Sequence, residues 1–250
     1  MTGATEFVAL VATGVFAGAV GAAGGVTSLV SYPALLAVGV PPFPANVANL
    51  VAGVACWPGS ALTSRRELAG TQGSLRRGLP VAAAGSAVGA LLLLNTAPGA
   101  FTRIVPFLVA IGSLALLVQP WLSTMIARNG DKPRAAVWPL IGLVSIYGGY
   151  FGAASGIMLL AALLVLHESR LPEANAIKNM LLGAGAVVAA AIFVLVGPVD
   201  WSAVVPLALG LFAGSAAGPI IARRVPPSVV RWVIGMLGLT LAIALWLRPP

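Results

Sequence analysis

Two short asparagine motifs carry the polar side chains best suited to chemistry in an otherwise apolar chain. The first is ANVAN, residues 45–49, and the second is ANAIKN, residues 174–179. Each motif spaces two asparagines three or four residues apart, which places them on one helix face: Asn46 with Asn49, and Asn175 with Asn179. Carboxamides donate hydrogen bonds, and Lys178 adds positive charge between the second pair. Such donors, converging on one cavity inside a membrane, suit an oxyanion.

The same residues also have a structural interpretation. Asn46 and Asn175 stand near predicted helix starts, where an asparagine caps the helix or bonds to nearby backbone. Lys178 is only about 9 Å along the helix from Pro172, so its amine could instead extend to the membrane interface. The sequence leaves both interpretations of Lys178 open.

Glycine clusters form a second pattern, again in two copies. GAVGAAGGV spans residues 18–26 and YGGYFGAASGI spans residues 147–157, each inside an apolar run. Glycine in a helix interior costs about 1 kcal/mol relative to alanine, so these clusters favour a break in the helix. A break exposes unpaired N–H groups at the start of the second half-helix, which form an anion site. The predicted contributors are Gly24, Gly25, Ser28, Gly152, Ser155 and Gly156.

Helix packing is the competing explanation for glycine, because small residues four apart let membrane helices approach closely. For Gly85 with Gly89, and for Gly214 with Gly218, packing is the preferred interpretation. The clusters at 18–25 and 148–156 are denser than a packing face requires. They are therefore predicted to bind the substrate.

Residues typical of catalysis are scarce. His167 is the single histidine and Cys56 the single cysteine, and no motif for a metal, a phosphate loop or a carboxylate pair occurs. His167 is predicted to lie at an interface and Cys56 to be a packing residue. We therefore expect no enzyme activity, no cofactor and no direct use of ATP.

Composition then identifies the elements that must position these motifs. Of 250 residues, 59% are hydrophobic and 8% are charged, and the mean hydropathy is +1.02. Soluble domains carry about 25% charged residues, so the composition predicts an all-α membrane protein. The net charge of +8 comes from basic residues scattered between apolar segments, which excludes a nucleic-acid interface.

Eight apolar segments are separated by charges and Pro/Gly clusters. Their approximate ranges are 5–38, 45–63, 78–95, 102–122, 137–167, 173–196, 202–222 and 228–247. The chain is thus predicted to form a single transmembrane domain over residues 1–250, with a polar linker at 123–136.

The linker separates two halves with recurring motifs. GAVGAAGG at 18–25 precedes GYFGAASG at 149–156 by 131 residues, and GSAVG at 85–89 precedes GSAAG at 214–218 by 129 residues. The asparagine motifs keep the same order and nearly the same offset. We therefore expect an internal repeat, with repeat 1 at 1–122 and repeat 2 at 137–250.

Charge predicts that the repeats are inverted. The loop after the second segment is basic (Arg65, Arg66, Arg76, Arg77), whereas its counterpart after the sixth holds only Asp200. Basic loops face the cytoplasm, so equivalent loops face opposite sides. Inversion requires an odd number of crossings per half, which follows if segments 1 and 5 are re-entrant hairpins folded at the glycines. Both termini and Arg103 are then outside and the linker is cytoplasmic. A tilted, kinked crossing is the alternative.

These motifs resemble the sulfite exporter TauE/SafE family of bacterial permeases. The resemblance rests on the paired glycine motifs, on YGGYFGAASGIMLLAALL, on ANAIKN and on GPVDW at 197–201, and covers nearly the whole chain. It implies transport of sulfite, a sulfonate or a related organosulfur anion, coupled to a proton gradient, in the bacterial inner membrane. Lys178 belongs to the second half, and the equivalent position of the first half holds Asn49 or Ala48. The two half-sites therefore differ chemically.

The predicted function is secondary transport of a small anion by alternating access in a lipid bilayer, with a homo-oligomer as a further expectation. A channel for a neutral solute, a non-transporting scaffold subunit and an intramembrane enzyme are the alternatives. The shortage of His, Cys and Asp disfavours the enzyme.

Overall fold

The computed structural model describes residues 3–63, 67–127, 137–166, 170–222 and 227–247. Within these ranges the chain consists of helices joined by short turns, without strands. The helices are α1 (Ala4–Gly24), α2 (Thr27–Ala37), α3 (Pro42–Ala52), a 3₁₀ turn (Gly53–Ala55), α4 (Cys56–Thr63), α5 (Gln72–Leu94), α6 (Pro98–Ala127), α7 (Val137–Tyr150), α8 (Ser155–Leu166), α9 (Leu171–Val196), α10 (Trp201–Ala222) and α11 (Pro227–Leu247). Residues 128–136 of the predicted linker and His167 lie outside the described residues.

Apolar side chains cover these helices on their outer surfaces as well as inside. Leu143 is 64% exposed, Leu195 is 81% exposed and Trp246 is 68% exposed. Among the described residues, four helices contain stretches long and apolar enough to cross a bilayer, within Ala4–Gly21, Gln72–Leu94, Pro98–Val118 and Pro172–Val196. In a helix the backbone N–H and C=O groups bond to one another, which is required in a bilayer because lipid offers them no hydrogen-bond partners. The chain is a polytopic α-helical membrane protein.

The second apolar segment is interrupted, which the sequence analysis did not anticipate. Its helix begins at Pro42, and the 3₁₀ turn separates α3 from α4. Pro58 favours the interruption, because a proline ring clashes with the carbonyl four residues earlier in an α-helix, here that of Val54, although α5 continues through Pro80. The corresponding segment of the second half, α9, has no such proline and is continuous.

The first and fifth segments are each divided into two helices at glycines. Gly25, at φ 71°, caps α1 in the left-handed conformation, and Gly152, at φ 80°, lies between α7 and α8. The 14 residues of α7 span about 21 Å and the 12 residues of α8 about 18 Å. By contrast, the 21 residues of α1 span about 31 Å, about the thickness of a bilayer core.

Backbone contacts at glycines join the first half to the second. A methyl group on Gly18 of α1 would meet the carbonyl oxygen of Leu211 in α10 at 2.5 Å. A methyl group on Gly85 of α5 would meet the carbonyl oxygen of Gly142 in α7 at 2.7 Å. These two pairs, α1 with α10 and α5 with α7, are the most extensive helix contacts in the described structure. The small residues therefore bring the two halves into direct backbone contact.

The order of contacts along α1 and α5 gives the direction of their neighbours. Gly14 approaches Leu207 and Gly18 approaches Leu211, so α1 and α10 run parallel. In α5, Gly85 approaches Gly142 and Gly89 approaches Ile146, so α5 and α7 also run parallel.

Two further pairs extend this pattern. Gly78 contacts Leu181 and Ser86 contacts Gly185, so α5 and α9 run in the same direction. Leu117 contacts Gly235 and Ser113 contacts Gly238, so α6 and α11 are antiparallel.

Candidate functional site

A cavity of about 150 Å³ lies where the glycine segments of the two halves meet. Its walls come from the end of α1, the start of α2, the α3–α4 junction, and parts of α5, α7, α8 and α9. The lining described contains no Asp, Glu, Lys or Arg. Seven of the predicted site residues line it: Gly25, Ser28, Asn49, Gly152, Ser155, Gly156 and Asn179.

Gly25 and Gly156 bring the two halves together at this cavity. A Cβ on Gly25 would stand 2.8 Å from the Cα of Gly156, and a Cβ on Gly156 would stand 2.7 Å from the Cα of Gly25. Real Cβ atoms do not approach a backbone atom so closely, so neither position has room for a side chain. Gly25 also requires its positive φ, which glycine adopts without strain.

The N-terminal ends of α2 and α8 both contribute to the lining. Thr27 and Ser28 line the cavity from the first turn of α2, and no side chain caps that helix. Ser155 and Gly156 line it from the first turn of α8. Helix N-termini carry partial positive charge and N–H groups without intrahelical acceptors. Two such ends therefore share one cavity.

Hydrogen bonds in the turn before α8 determine which donors are free. Ser155 directs both its backbone N–H, at 3.2 Å, and its Oγ, at 2.8 Å, to the carbonyl oxygen of Gly152. Ile157 and Met158 donate their N–H groups to the carbonyl oxygen of Ala154. These bonds omit the N–H groups of Ala153, Ala154 and Gly156. The Ser155 hydroxyl is already engaged, and of these three residues Gly156 lines the cavity, so Gly156 is the backbone donor that this turn offers there.

Asn49 supplies a side-chain donor at the wall of the cavity. It is 2% exposed, and its Oδ1 accepts a hydrogen bond of 2.5 Å from Ser31 Oγ. Ser31 Oγ also lies 2.9 Å from the carbonyl oxygen of Thr27, a second acceptor for its single proton. The Asn49 Nδ2 is buried without a partner. A buried amide without a partner is costly, and a bound acceptor would satisfy it.

Asn46 has a different position from Asn49. Its Nδ2 donates a 2.8 Å hydrogen bond to the carbonyl oxygen of Tyr150, at the C-terminal end of α7. Asn46 is fully buried and lies outside the cavity lining. It therefore fastens the end of a helix from the second half to α3 of the first.

Asn175 and Lys178 form a pair that also lies outside the lining. Lys178 is fully buried, and its Nζ donates a 2.7 Å hydrogen bond to Asn175 Oδ1. An amine that extended to the membrane interface would be exposed, so that interpretation of Lys178 is wrong. The next residue, Asn179, lines the cavity together with Leu181 and Leu182. Gly24 ends α1 next to Gly25, which is one of the lining residues.

Several lining residues were missed by the sequence analysis. They are Gly21, Thr27, Leu50, Trp57, Ser86, Ser145 and Leu182, among others. Thr27 had a usable signal, because it directly follows the glycine cluster and begins the second half-helix. Trp57 had none, since its indole ring packs against the backbone of Gly183 in a distant segment. In the ranges described, no group of three or more His, Cys, Asp or Glu side chains is arranged to hold a metal ion.

Comparisons with known proteins agree with this architecture. The chain is 26% identical over 236 residues to the probable membrane transporter protein ORF9 of Sinorhizobium sp, covering 93% of this chain and 89% of that protein. It is 26% identical over 214 residues to a probable membrane transporter protein of Haemophilus influenzae, covering 84% and 82%. A third relative is the probable membrane transporter protein YfcA of Escherichia coli K12, also 26% identical, covering 87% and 79%.

No solved structure matches the chain. The family described as sulfite exporter TauE/SafE matches residues 7–245, which include all of the cavity-lining residues. This chain belongs to the sulfite exporter TauE/SafE family.

Proposed function

We propose that this protein is a secondary transporter that moves a small oxyanion, sulfite or an organosulfonate, by alternating access coupled to a proton gradient. Its membership of the TauE/SafE family and the names of its relatives support a membrane transporter. The main evidence for an anionic substrate is the cavity. Two helix N-termini and the unpaired Asn49 Nδ2 lie at its wall, and the described lining contains no carboxylate.

Anion binding follows from what such a cavity must replace. An anion entering a site of low dielectric constant loses its water and must receive hydrogen-bond donors instead. The Gly156 N–H, the start of α2 and the Asn49 Nδ2 are donors, and Asn179 brings a further carboxamide to the wall. A sulfite or sulfonate group presents three oxygens to them. Donors aimed at an anion form charge-assisted bonds, about twice as strong as neutral ones.

The apolar part of the lining sets a limit on the substrate. Leu50, Trp57, Leu159 and Leu182 face the same space as the donors. A volume of about 150 Å³ admits a small anion with few carbon atoms. Nothing in the described lining would pair with a positively charged amino group, so the site favours simple anions over zwitterions.

We propose further that the two halves are inverted repeats in which the chain turns back at both glycine breaks: α7–α8 forms a re-entrant hairpin, whereas in the α1–α2 hairpin α1 is long enough to cross the bilayer core. If all eight segments crossed the membrane, α5 and α9 would be antiparallel, while α6 and α11 would be parallel. The contacts have the opposite arrangement in both cases. If the chain turns back at both glycine breaks, α5 and α9 become parallel and α6 and α11 become antiparallel, as observed, while α1 stays parallel to α10. This topology places both termini outside, with the repeats at 1–122 and 137–250.

The repeats would then provide the moving parts. The cavity lies at their interface, where α1 packs on α10 and α5 on α7. Rocking one repeat against the other would open the cavity to either side in turn. Close-packed glycine contacts suit such motion, because flat backbone surfaces slide with few interlocking side chains.

Transport into proteoliposomes tests this proposal. Purified protein should take up labelled sulfite or methanesulfonate with saturable kinetics, and excess unlabelled anion should compete. The Asn95→Ala variant is a suitable control, since Asn95 is an exposed asparagine at the end of α5. Flux that rises linearly with concentration would instead support a channel, and absence of flux for all anions in the panel would support a scaffold.

A further inference from the structure

Lys178 is a buried amine with a single polar partner. It lies in α9, fully excluded from solvent, and donates to Asn175 Oδ1 at 2.7 Å. Among the described residues, the only side-chain salt bridge joins Arg170 to Glu173 near the start of the same helix. Lys178 therefore has no counter-charge in the described structure.

In the residues described, the helices packed against α9 provide no counter-charge for Lys178. These are α3, α4, α5, α7 and α8 together with the 3₁₀ turn. Their described titratable or charged side chains are Cys56, Arg76, Arg77, Tyr147 and Tyr150. None is a carboxylate, and Glu67, in the turn between α4 and α5, forms no ion pair in the described structure.

Each of these groups is exposed to solvent, bonded to another residue or located at the cavity wall. Arg76 and Arg77 are exposed, Tyr147 donates to the carbonyl oxygen of Leu108, and the Tyr150 hydroxyl contacts Thr96 Oγ1. Cys56 lies at the cavity wall. Glu173, the carboxylate on α9 itself, is five residues earlier and about 140° around the helix.

An ammonium group without a counter-charge is expensive in such surroundings, whereas an ammonium paired with an anion is much less so. The substrate is the missing counter-charge in this arrangement. We propose that Lys178 is the proton carrier of the transporter: its amine takes up one proton as an anion enters, and releases that proton as the anion leaves. This inference rests on the proposed function.

The position of Lys178 beside the cavity wall makes this exchange feasible. Its neighbour Asn179 lines the cavity, as do Leu181 and Leu182 on the next turn. In the present arrangement the amine is held by Asn175 Oδ1. Exchanging that hydrogen bond for one to the anion, by a small movement of α9, would bring the ammonium to the substrate.

The proton balance is simple. The amine, one proton from the loading side and the anion combine into an ammonium–anion pair, and the pair separates on the other side without any covalent change. The first half has Ala48 or Asn49 at the equivalent position, so the two repeats hold one such lysine between them. One proton therefore accompanies each monovalent anion, and the cycle moves no net charge.

Methanesulfonate uptake into proteoliposomes tests the proposal, with a pH-sensitive dye inside. Methanesulfonate is a permanent monoanion, so it cannot carry the proton itself. For the parent protein we expect proton entry with the anion and, for a pH difference of about one unit, up to about tenfold accumulation. A potassium diffusion potential set by valinomycin should not alter uptake. If uptake by the parent protein is driven by the membrane potential and no protons enter, this result alone contradicts the proposal.

Variants separate the lysine from the rest of the site. Lys178→Gln should lose accumulation driven by pH while retaining exchange of labelled for unlabelled anion, and its net uptake should become sensitive to the membrane potential. Arg76→Gln, which removes an exposed positive charge from α5, should behave like the parent protein. If Lys178→Gln still accumulates the anion in response to pH, the inference is wrong although the transporter function stands. If the parent transports none of the anions, the proposed function itself fails.

Discussion

Gly25 and Gly156 stand face to face across the junction of the two halves, each within 3 Å of where a side chain of the other would begin. The two glycines are 131 residues apart and occupy equivalent positions of the recurring glycine motif. Their contact brings the starts of α2 and α8 to one cavity. A pair of helix N-termini at one cavity is the feature on which the proposed anion binding rests.

Replacing Gly156 by alanine should disrupt this junction. The added Cβ would lie 2.7 Å from the Gly25 Cα, so backbone must move, at a cost of about 1–3 kcal/mol in the free energy of unfolding. Thermal unfolding in detergent measures this, together with anion affinity, which should also fall. Gly99→Ala is the matched control, because a methyl group there meets open space. Equal behaviour of the two variants would contradict the importance of the contact.

Asn49 is the side-chain donor whose loss should affect binding most. Asn49→Asp keeps the shape and can still accept from Ser31, but it replaces the free Nδ2 with negative charge. Like charges about 4 Å apart repel by about 4 kcal/mol at an effective dielectric constant of about 20. We expect sulfonate binding to fall below detection in calorimetry while the protein remains folded. Unchanged affinity would exclude Asn49 from the site.

Asn46 should affect stability through the helix end that it holds. Asn46→Ala removes the donor to the Tyr150 carbonyl oxygen, and a buried group left unsatisfied costs about 1–3 kcal/mol. Thermal unfolding should show this loss, whereas Asn95→Ala, at an exposed helix end, should stay within about 0.5 kcal/mol. A stable Asn46→Ala protein would show that α7 is held by other contacts.

Membrane topology can be tested by cysteine labelling in a Cys56→Ala background. Cysteines at Ser74 and Ser228 should both react from the cytoplasmic side, and cysteines at Pro98 and Asp200 from outside. In this topology the two hairpins return to the side from which they enter. Labelling of positions 74 and 228 from opposite faces would contradict the inverted, re-entrant arrangement.

The sequence predicted the class and segment positions well because long apolar stretches and Pro/Gly clusters are local features. It did not predict which side chains face the cavity. In an amphipathic helix the polar face marks one side, but in α8 and α9 the lipid-facing and interior residues are both apolar, so no periodicity distinguishes them. The burial of Lys178 and the bond from Asn46 to Tyr150 depend on packing between the distant halves of the chain. The 3₁₀ turn at Gly53–Ala55 was a local feature, and Pro58 was its signal.

Calorimetry with a matched pair of ligands tests the central claim most directly. Methanesulfonate and dimethyl sulfone are nearly the same size, but only the first is an anion. If the cavity binds anions through helix N-termini and Asn49, the purified protein should bind methanesulfonate saturably and dimethyl sulfone at least about tenfold more weakly, a difference of about 1.4 kcal/mol. Equal binding of the two, or preference for the sulfone, would contradict an anion site and favour a pathway for neutral solutes.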